Sequence, residues 1–236
     1  MVAGLVFYLP LHYAWRLFGR RSPWPRAFLA WVGRCAGMRV CVDGTPATAP
    51  VLIVANHVSW LDIMVIAGAS GAAFVSKDDV AGWPVIGRLA RLNNTVFVAR
   101  TERKAVRGQA DQLRDALLRA QPVALFPEGT TGDGRTVLPF RASLLAAVVP
   151  PPPGVMLQPV AIDYGAATDE IAWIGEEAAG ANAKRVLSRP GTATVTLRFL
   201  DPFDPAEAPD RKRLAERARA AIVAALAASA SAADAL

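Results

Sequence analysis

The sequence predicts an α/β domain built on a mainly parallel, seven-strand sheet flanked by helices, with an N-terminal helical hairpin at a membrane interface. Three observations predict it. Short apolar, β-branched runs alternate with helical patterns from residue 38 onward. The first 42 residues are basic and aromatic and contain no acidic residue. Finally, 53% of the 236 residues are hydrophobic, enough for one substantial core and incompatible with a disordered chain.

The N-terminal segment, residues 1–37, comes first. Arg16, Arg20, Arg21, Arg26, Arg34 and Arg39 carry the whole net charge of +6, because the remainder of the chain is balanced in Lys/Arg and Asp/Glu. Interleaving with Trp15, Trp24 and Trp31 suits an anionic membrane surface better than a nucleic acid, and no nucleic-acid partner is expected. The uncharged run Met1 to Trp15 is shorter than the roughly 20 residues of a spanning helix and contains Pro10 and His12. In helical register His12, Arg16 and Arg20 share one stripe, with Leu5, Leu9, Tyr13 and Leu17 around it. Ser22-Pro-Trp-Pro25 breaks this helix, and a second runs from Arg26 to about Gly37. The positive charges follow the apolar run, unlike those of a secretion signal. Two ordinary helices capping the core are the alternative reading. Cys35 and Cys41 have no His or Cys company, so neither a disulfide framework nor a metal site is expected. A reducing compartment follows, with the protein peripheral or monotopic on the cytoplasmic face of the cell's inner membrane.

The apolar alternation then gives strands at 38–42, 51–55, 72–76, 95–99, 122–126, 155–163 and 193–200. Helices are predicted at about 59–68, 83–91, 102–120, 141–149 and 210–228. Four prolines, 150–153, form a rigid connector, and the Ala/Ser-rich residues 229–236 are predicted to be a frayed tail after a domain spanning 38–228.

Chemistry concentrates at strand ends. The run Asn56 to Asp62, NHVSWLD, follows the buried-strand pattern VLIVA and precedes a helix. A turn at Ser59 would bring the Asp62 carboxylate back to the His57 imidazole, giving a general base with an orienting acid. Ser59-x-x-Asp62 also reads as a helix capping box, and the heptapeptide alone leaves both readings open. The run FPEGTTGDG, 126–134, places glycines after a strand, where backbone N–H groups approach an anion closely. Within it Glu128 either accepts a substrate hydroxyl or braces the loop. Arg100, Lys77 and Arg141 follow other strand ends and are suited to a negatively charged headgroup.

In this order and at these separations, NHVSWLD, VFVAR (96–100), FPEGTTGDG with VLPFR (137–141) after it, and LQPVAIDY (157–164) resemble the four blocks of the glycerolipid acyltransferase family. Its best-known members are the 1-acylglycerol-3-phosphate acyltransferases. The resemblance covers about residues 40–200. It implies that His57 and Asp62 are the catalytic pair, that Arg100 grips phosphate, and that Glu128, Gly129 and Thr130 bind the acceptor. Pro159 would be a shaping residue. It further implies a co-substrate thioester of coenzyme A or acyl carrier protein, no bound cofactor, no metal, and a lysolipid hydroxyl as acceptor, first of all 1-acylglycerol-3-phosphate.

Two departures bear on the acceptor. Where the family's third block continues with arginine and serine, this chain has Thr131 and Gly132, and Asn94 replaces the glycine that commonly opens the second block. Losing a phosphate-directed arginine keeps lyso-ornithine lipid, which carries a carboxylate and an amine, as an alternative acceptor; Arg141, Lys77 and Arg100 remain to supply charge. Alternatives of another class are a hydrolase using Ser59 or Ser143, which lacks the Gly-x-Ser-x-Gly elbow, and a non-catalytic membrane scaffold.

Overall fold

A computed structural model describes residues 2–19, 22–48, 50–98, 105–119 and 121–233. The strands are β1 Met38–Gly44, β2 Val51–Ala55, β3 Ala73–Lys77, β4 Val96–Val98, β5 Val123–Leu125, β6 Met156–Asp163 and β7 Ala193–Phe199. The helices are α1 Val2–Leu17, α2 Trp24–Cys35, α3 Leu61–Ser70, α4 Asp78–Ala81, α5 Ile86–Leu92, α6 Ala105–Leu117, α7 Thr168–Ile171, α8 Ala179–Leu187 and α9 Arg211–Ala233.

The seven strands form one sheet in the order β1-β7-β6-β2-β5-β3-β4. From β6 to β4 every neighbouring pair is parallel; β7 runs antiparallel to β6, and β1 parallel to β7. Each of the five residues of β2 is fully buried, which is why its sequence is continuously apolar rather than alternating. One face of the sheet packs Ile53, Ala55, Ala124 and Ile162 against Leu61, Val65 and Ile66 of α3. The other face packs Leu52, Val54, Leu125 and Leu157 against Leu113 and Leu117 of α6 and Leu214 and Ala218 of α9. Each fully buried Leu or Ile removes enough apolar surface from water to stabilise the fold by about 1.5–3 kcal/mol.

Helix α2 is docked on α3. A Cβ added to Gly68 would stand 2.9 Å from both the Cα and Cβ of Ala30, so the two backbones approach as closely as glycine allows. Arg26 donates to the carbonyls of Gly68, at 3.0 Å, and Ala69, at 2.5 Å, satisfying acceptors that the last turn of α3 leaves unpaired. Helix α1 folds back on α2, with the Tyr8 ring between Trp24, Phe28 and Trp31 at centroid distances of 5.9–6.2 Å. His12 faces into this hairpin: it is buried, its Nδ1 lies 2.9 Å from the Ser22 hydroxyl, and burial with Arg16 nearby holds its pKa below the usual histidine value. Val6, Phe7, Leu17 and Phe18 of the hairpin point outward and are exposed. Among the described residues no helix is long and apolar enough to cross a membrane.

The structure departs from the predicted elements in four places. The helix expected at 141–149 is a 3₁₀ segment, Ala142–Val148, cut short by the prolines that follow. The helix expected at 83–91 begins only at Ile86, past Pro84, as α5, and the short α4, Asp78–Ala81, precedes it unexpected. Helices α7 and α8 were not expected; α8 is short and turns one narrow face inward, on which only Asn182 and Val186 are buried. The C-terminal tail expected from 229 is instead helical to Ala233, because its alanines are the strongest intrinsic helix formers.

Candidate active site

His57 leaves β2 at the carboxyl edge of the sheet, beside the ends of its neighbours β5 and β6. The Asn56 side chain extends the ladder one step beyond β2: its amide donates to Ile162 O at 2.9 Å and its oxygen accepts from Ile162 N at 2.8 Å. The turn that follows carries Asp62 back to His57. Asp62 Oδ2 lies 2.8 Å from His57 Nδ1 and accepts the backbone N–H groups of Val58, at 2.7 Å, and Ser59, at 3.0 Å. Oδ1 accepts the Tyr164 hydroxyl at 2.6 Å. The two readings of the heptapeptide are therefore one geometry, since the Asp62 bond to Ser59 N is the return half of a capping box and the same carboxylate holds the imidazole.

This arrangement fixes the imidazole tautomer. With Nδ1–H given to a carboxylate, Nε2 keeps its lone pair free. The His57 side chain is 18% exposed while Asp62 is fully buried, so the ring can meet a ligand and its partner cannot. The Phe126 ring lies flat against the imidazole, with centroids 4.0 Å apart and planes 9° from parallel. The N–H groups of Val58 and Ser59 at the entry to α3 are spent on Asp62 and are not available to an oxyanion. Ser59 itself is fully buried with its hydroxyl accepting from Leu61 N at 3.4 Å, closed to an incoming carbonyl.

The loop after β5 is built around Glu128. This side chain is buried; Oε1 accepts His57 N at 2.7 Å and Oε2 accepts Leu138 N at 2.8 Å. Burial raises its pKa above the usual carboxylate value despite these donors. Of the two roles open for Glu128, the structure displays the brace. Gly129 has φ +73°, and a Cβ there would meet the Arg141 side chain at 3.0–3.2 Å, so the exposed Arg141 lies across the glycine. Thr130 is exposed beside it. Thr131, at the family's arginine position, donates its hydroxyl to Trp173 O at 2.5 Å. Trp173 N in turn donates to Val58 O at 2.9 Å, and Gly132 N to His57 O at 2.7 Å, so the two loops clamp the strand end. Lys77 ends β3, two strands across from β2, and is exposed. Arg100 lies outside the described residues.

Phe126, Tyr164 and Trp173 were not among the residues expected at the site. Phe126 and Tyr164 sit inside the quoted sequence blocks, at the ends of the strands that flank β2, which is the signal that locates them. Trp173 lies between β6 and α8 without any such mark.

Comparison with known proteins identifies the family. The family model described as Acyltransferase matches residues 39–163. The chain is 37% identical over 235 residues to the lyso-ornithine lipid O-acyltransferase of Rhodobacter capsulatus, covering 94% of this chain and 84% of that protein. It is 36% identical over 99 residues to the 1-acyl-sn-glycerol-3-phosphate acyltransferase of Neisseria gonorrhoeae, covering 42% and 39%. The solved structure of the 1-acyl-sn-glycerophosphate acyltransferase of Thermotoga maritima is similar with a TM-score of 0.62 at 26% identity, covering 94% of this chain and 89% of that one. The family match begins inside β1 and runs to the last residue of β6, spanning every strand that builds this edge, and the chain belongs to the acyltransferase family, enzymes of acyl transfer.

Proposed function

We propose that the protein moves a fatty acyl group from a thioester, of coenzyme A or acyl carrier protein, to the free hydroxyl of a lysolipid at an anionic membrane surface. The observation that carries this reading is the 2.8 Å bond between His57 Nδ1 and the buried Asp62, which leaves Nε2 of a partly exposed ring as the base. A lipid hydroxyl is too weak an acid to ionise near neutral pH. As its oxygen bonds to the thioester carbonyl carbon, its proton passes to His57 Nε2, and Asp62 stabilises the imidazolium. When the C–S bond breaks, His57 returns that proton to the leaving thiolate, giving an ester and a free thiol. Such a base contributes roughly 10²–10⁴ in rate. Glu128, through His57 N and Leu138 N, holds the base against the FPEGT loop. Gly129 and Thr130 line the acceptor side of this loop, with Arg141, Lys77 and Arg100 supplying positive charge to its headgroup.

For the acceptor, two observations support lyso-ornithine lipid over 1-acylglycerol-3-phosphate. Thr131 contributes a hydroxyl already committed to Trp173 O where a phosphate-directed guanidinium would stand. The similarity to the lyso-ornithine lipid enzyme of Rhodobacter capsulatus extends over 94% of the chain, against 42% for the Neisseria phosphate-acceptor enzyme. The phosphate reading is supported by the likeness to the Thermotoga structure and by the remaining cations. Purified protein supplied with one labelled acyl thioester and, in separate reactions, with each lysolipid decides between them. Faster ester formation on lyso-ornithine lipid is expected; a preference for 1-acylglycerol-3-phosphate would reverse the assignment.

A further inference from the structure

We propose that Tyr164 is a positioning residue for the His57–Asp62 pair, holding the second oxygen of the Asp62 carboxylate so that the proton taken up by His57 stays on the imidazole. The proposal deepens the acyl-transfer reading and rests on it for its catalytic meaning.

Asp62 is fully buried, and among the described residues no Lys or Arg forms an ion pair with it. Its negative charge is held by hydrogen-bond donors. Three of these, His57 Nδ1–H and the N–H groups of Val58 and Ser59, converge on Oδ2, whereas the Tyr164 hydroxyl donates to Oδ1 at 2.6 Å. Tyr164 is itself buried and stands just after β6, on the strand next to β2, so it reaches Asp62 from a different element than the turn that carries it. It therefore fixes the rotation of the carboxylate about its Cβ–Cγ bond, which the turn donors, all on one oxygen, leave free.

The electronic consequence has a definite sign. A donor on Oδ1 draws charge from the carboxylate and lowers its proton affinity. In the transfer step the lipid O–H proton goes to Nε2, and the Nδ1 proton must remain on the ring if Nε2–H is to be acidic enough to protonate the thiolate. A less basic Asp62 keeps it there. Burial first, then the neighbouring carboxylate, raise the Tyr164 pKa well above its usual value, so the phenol remains a donor across the working range. Among the described residues Glu128 also meets His57, through the backbone N–H, and is left unchanged by the test.

The test reads His57 directly. The chain has two histidines, so ¹⁵N-imidazole NMR gives two titrations, separated by a His12→Gln control. Tyr164→Phe is expected to move the His57 ¹⁵N titration to higher pH, because the carboxylate regains charge. Site-specific 3-fluorotyrosine at 164, a stronger donor of nearly the same shape, is expected to move it down. If the Phe variant does not fold, the fluorinated protein carries the test alone. Opposite shifts, accompanied by the same displacement of the acid limb of kcat/KM, support the proposal. A His57 titration that stays put in the folded fluorinated protein overturns it and makes Tyr164 a packing residue. The NMR readout does not depend on turnover, so failure of the acyl-transfer reading would appear separately, as absent thioester cleavage by the wild-type protein.

Discussion

Glu128 accepts the backbone N–H of His57 at 2.7 Å from a loop 71 residues further along the chain. With Phe126 stacked on the imidazole and Gly132 N bonded to His57 O, the loop after β5 grips the same residue by its ring, its N–H and its carbonyl. Sequence blocks that are far apart in the chain are thus one object at the sheet edge. The second block's arginine aside, their separation reflects the crossovers needed to return parallel strands to adjacent positions.

Replacing Glu128 tests the brace. Glu128→Gln keeps the shape but has one accepting oxygen for the two N–H groups of His57 and Leu138. One buried donor is left unpaired, and a stability loss of about 1–3 kcal/mol is expected in denaturant melts. The same variant is expected to lower kcat more than it raises the acceptor KM, since the base is displaced while the headgroup cations remain. A rise confined to the acceptor KM would instead make Glu128 a substrate ligand.

The loop carrying Trp173 is held by an ion pair whose pH dependence can be stated. Arg185 donates to both carboxylate oxygens of Glu177, at 3.0 and 2.8 Å, and Asn182 adds a third bond, which together hold the Glu177 pKa down at about 2. A carboxylate depressed on folding contributes stability that is fully present above its unfolded value, near 4.5, and lost as pH falls towards 2. Melting temperatures measured through that window should fall less steeply in Glu177→Gln than in the wild type. Parallel curves would show that the pair contributes nothing.

The strands and the His57–Asp62 turn were legible because their signals are local: β2 is wholly apolar, and His57 and Asp62 are five residues apart. Even the ambiguity at Ser59 resolved into one geometry, as a single carboxylate serves both the cap and the imidazole. What could not be read was the support. Tyr164 and Trp173 act through contacts spanning 102 and 42 residues, set by strand order and loop packing. Helix α8 was missed for the same reason: it is held by Asn182 bonding to Trp60 and Glu177 and by the single large core side chain Val186.

The N-terminal hairpin requires a cut placed by structure. Removing residues 1–37 would strip α2 from α3 along with the exposed face of α1, confounding membrane binding with folding. Deleting residues 1–21 removes Arg16, Arg20 and Arg21 and the exposed Val6, Phe7, Leu17 and Phe18, but keeps α2. At about 1 kcal/mol for each arginine near an anionic surface, vesicle affinity should fall on the order of a hundredfold. Undiminished sedimentation with anionic vesicles would refute the hairpin as the membrane anchor.

The most direct measurement is the release of free thiol and formation of lipid ester, followed together, by wild type and His57→Ala with an acyl thioester and a lysolipid. The account predicts equal amounts of thiol and ester from the wild type, and a fall of roughly 10²–10⁴ in both rates in a variant that melts like the parent. Near-normal acyl transfer by folded His57→Ala would contradict it.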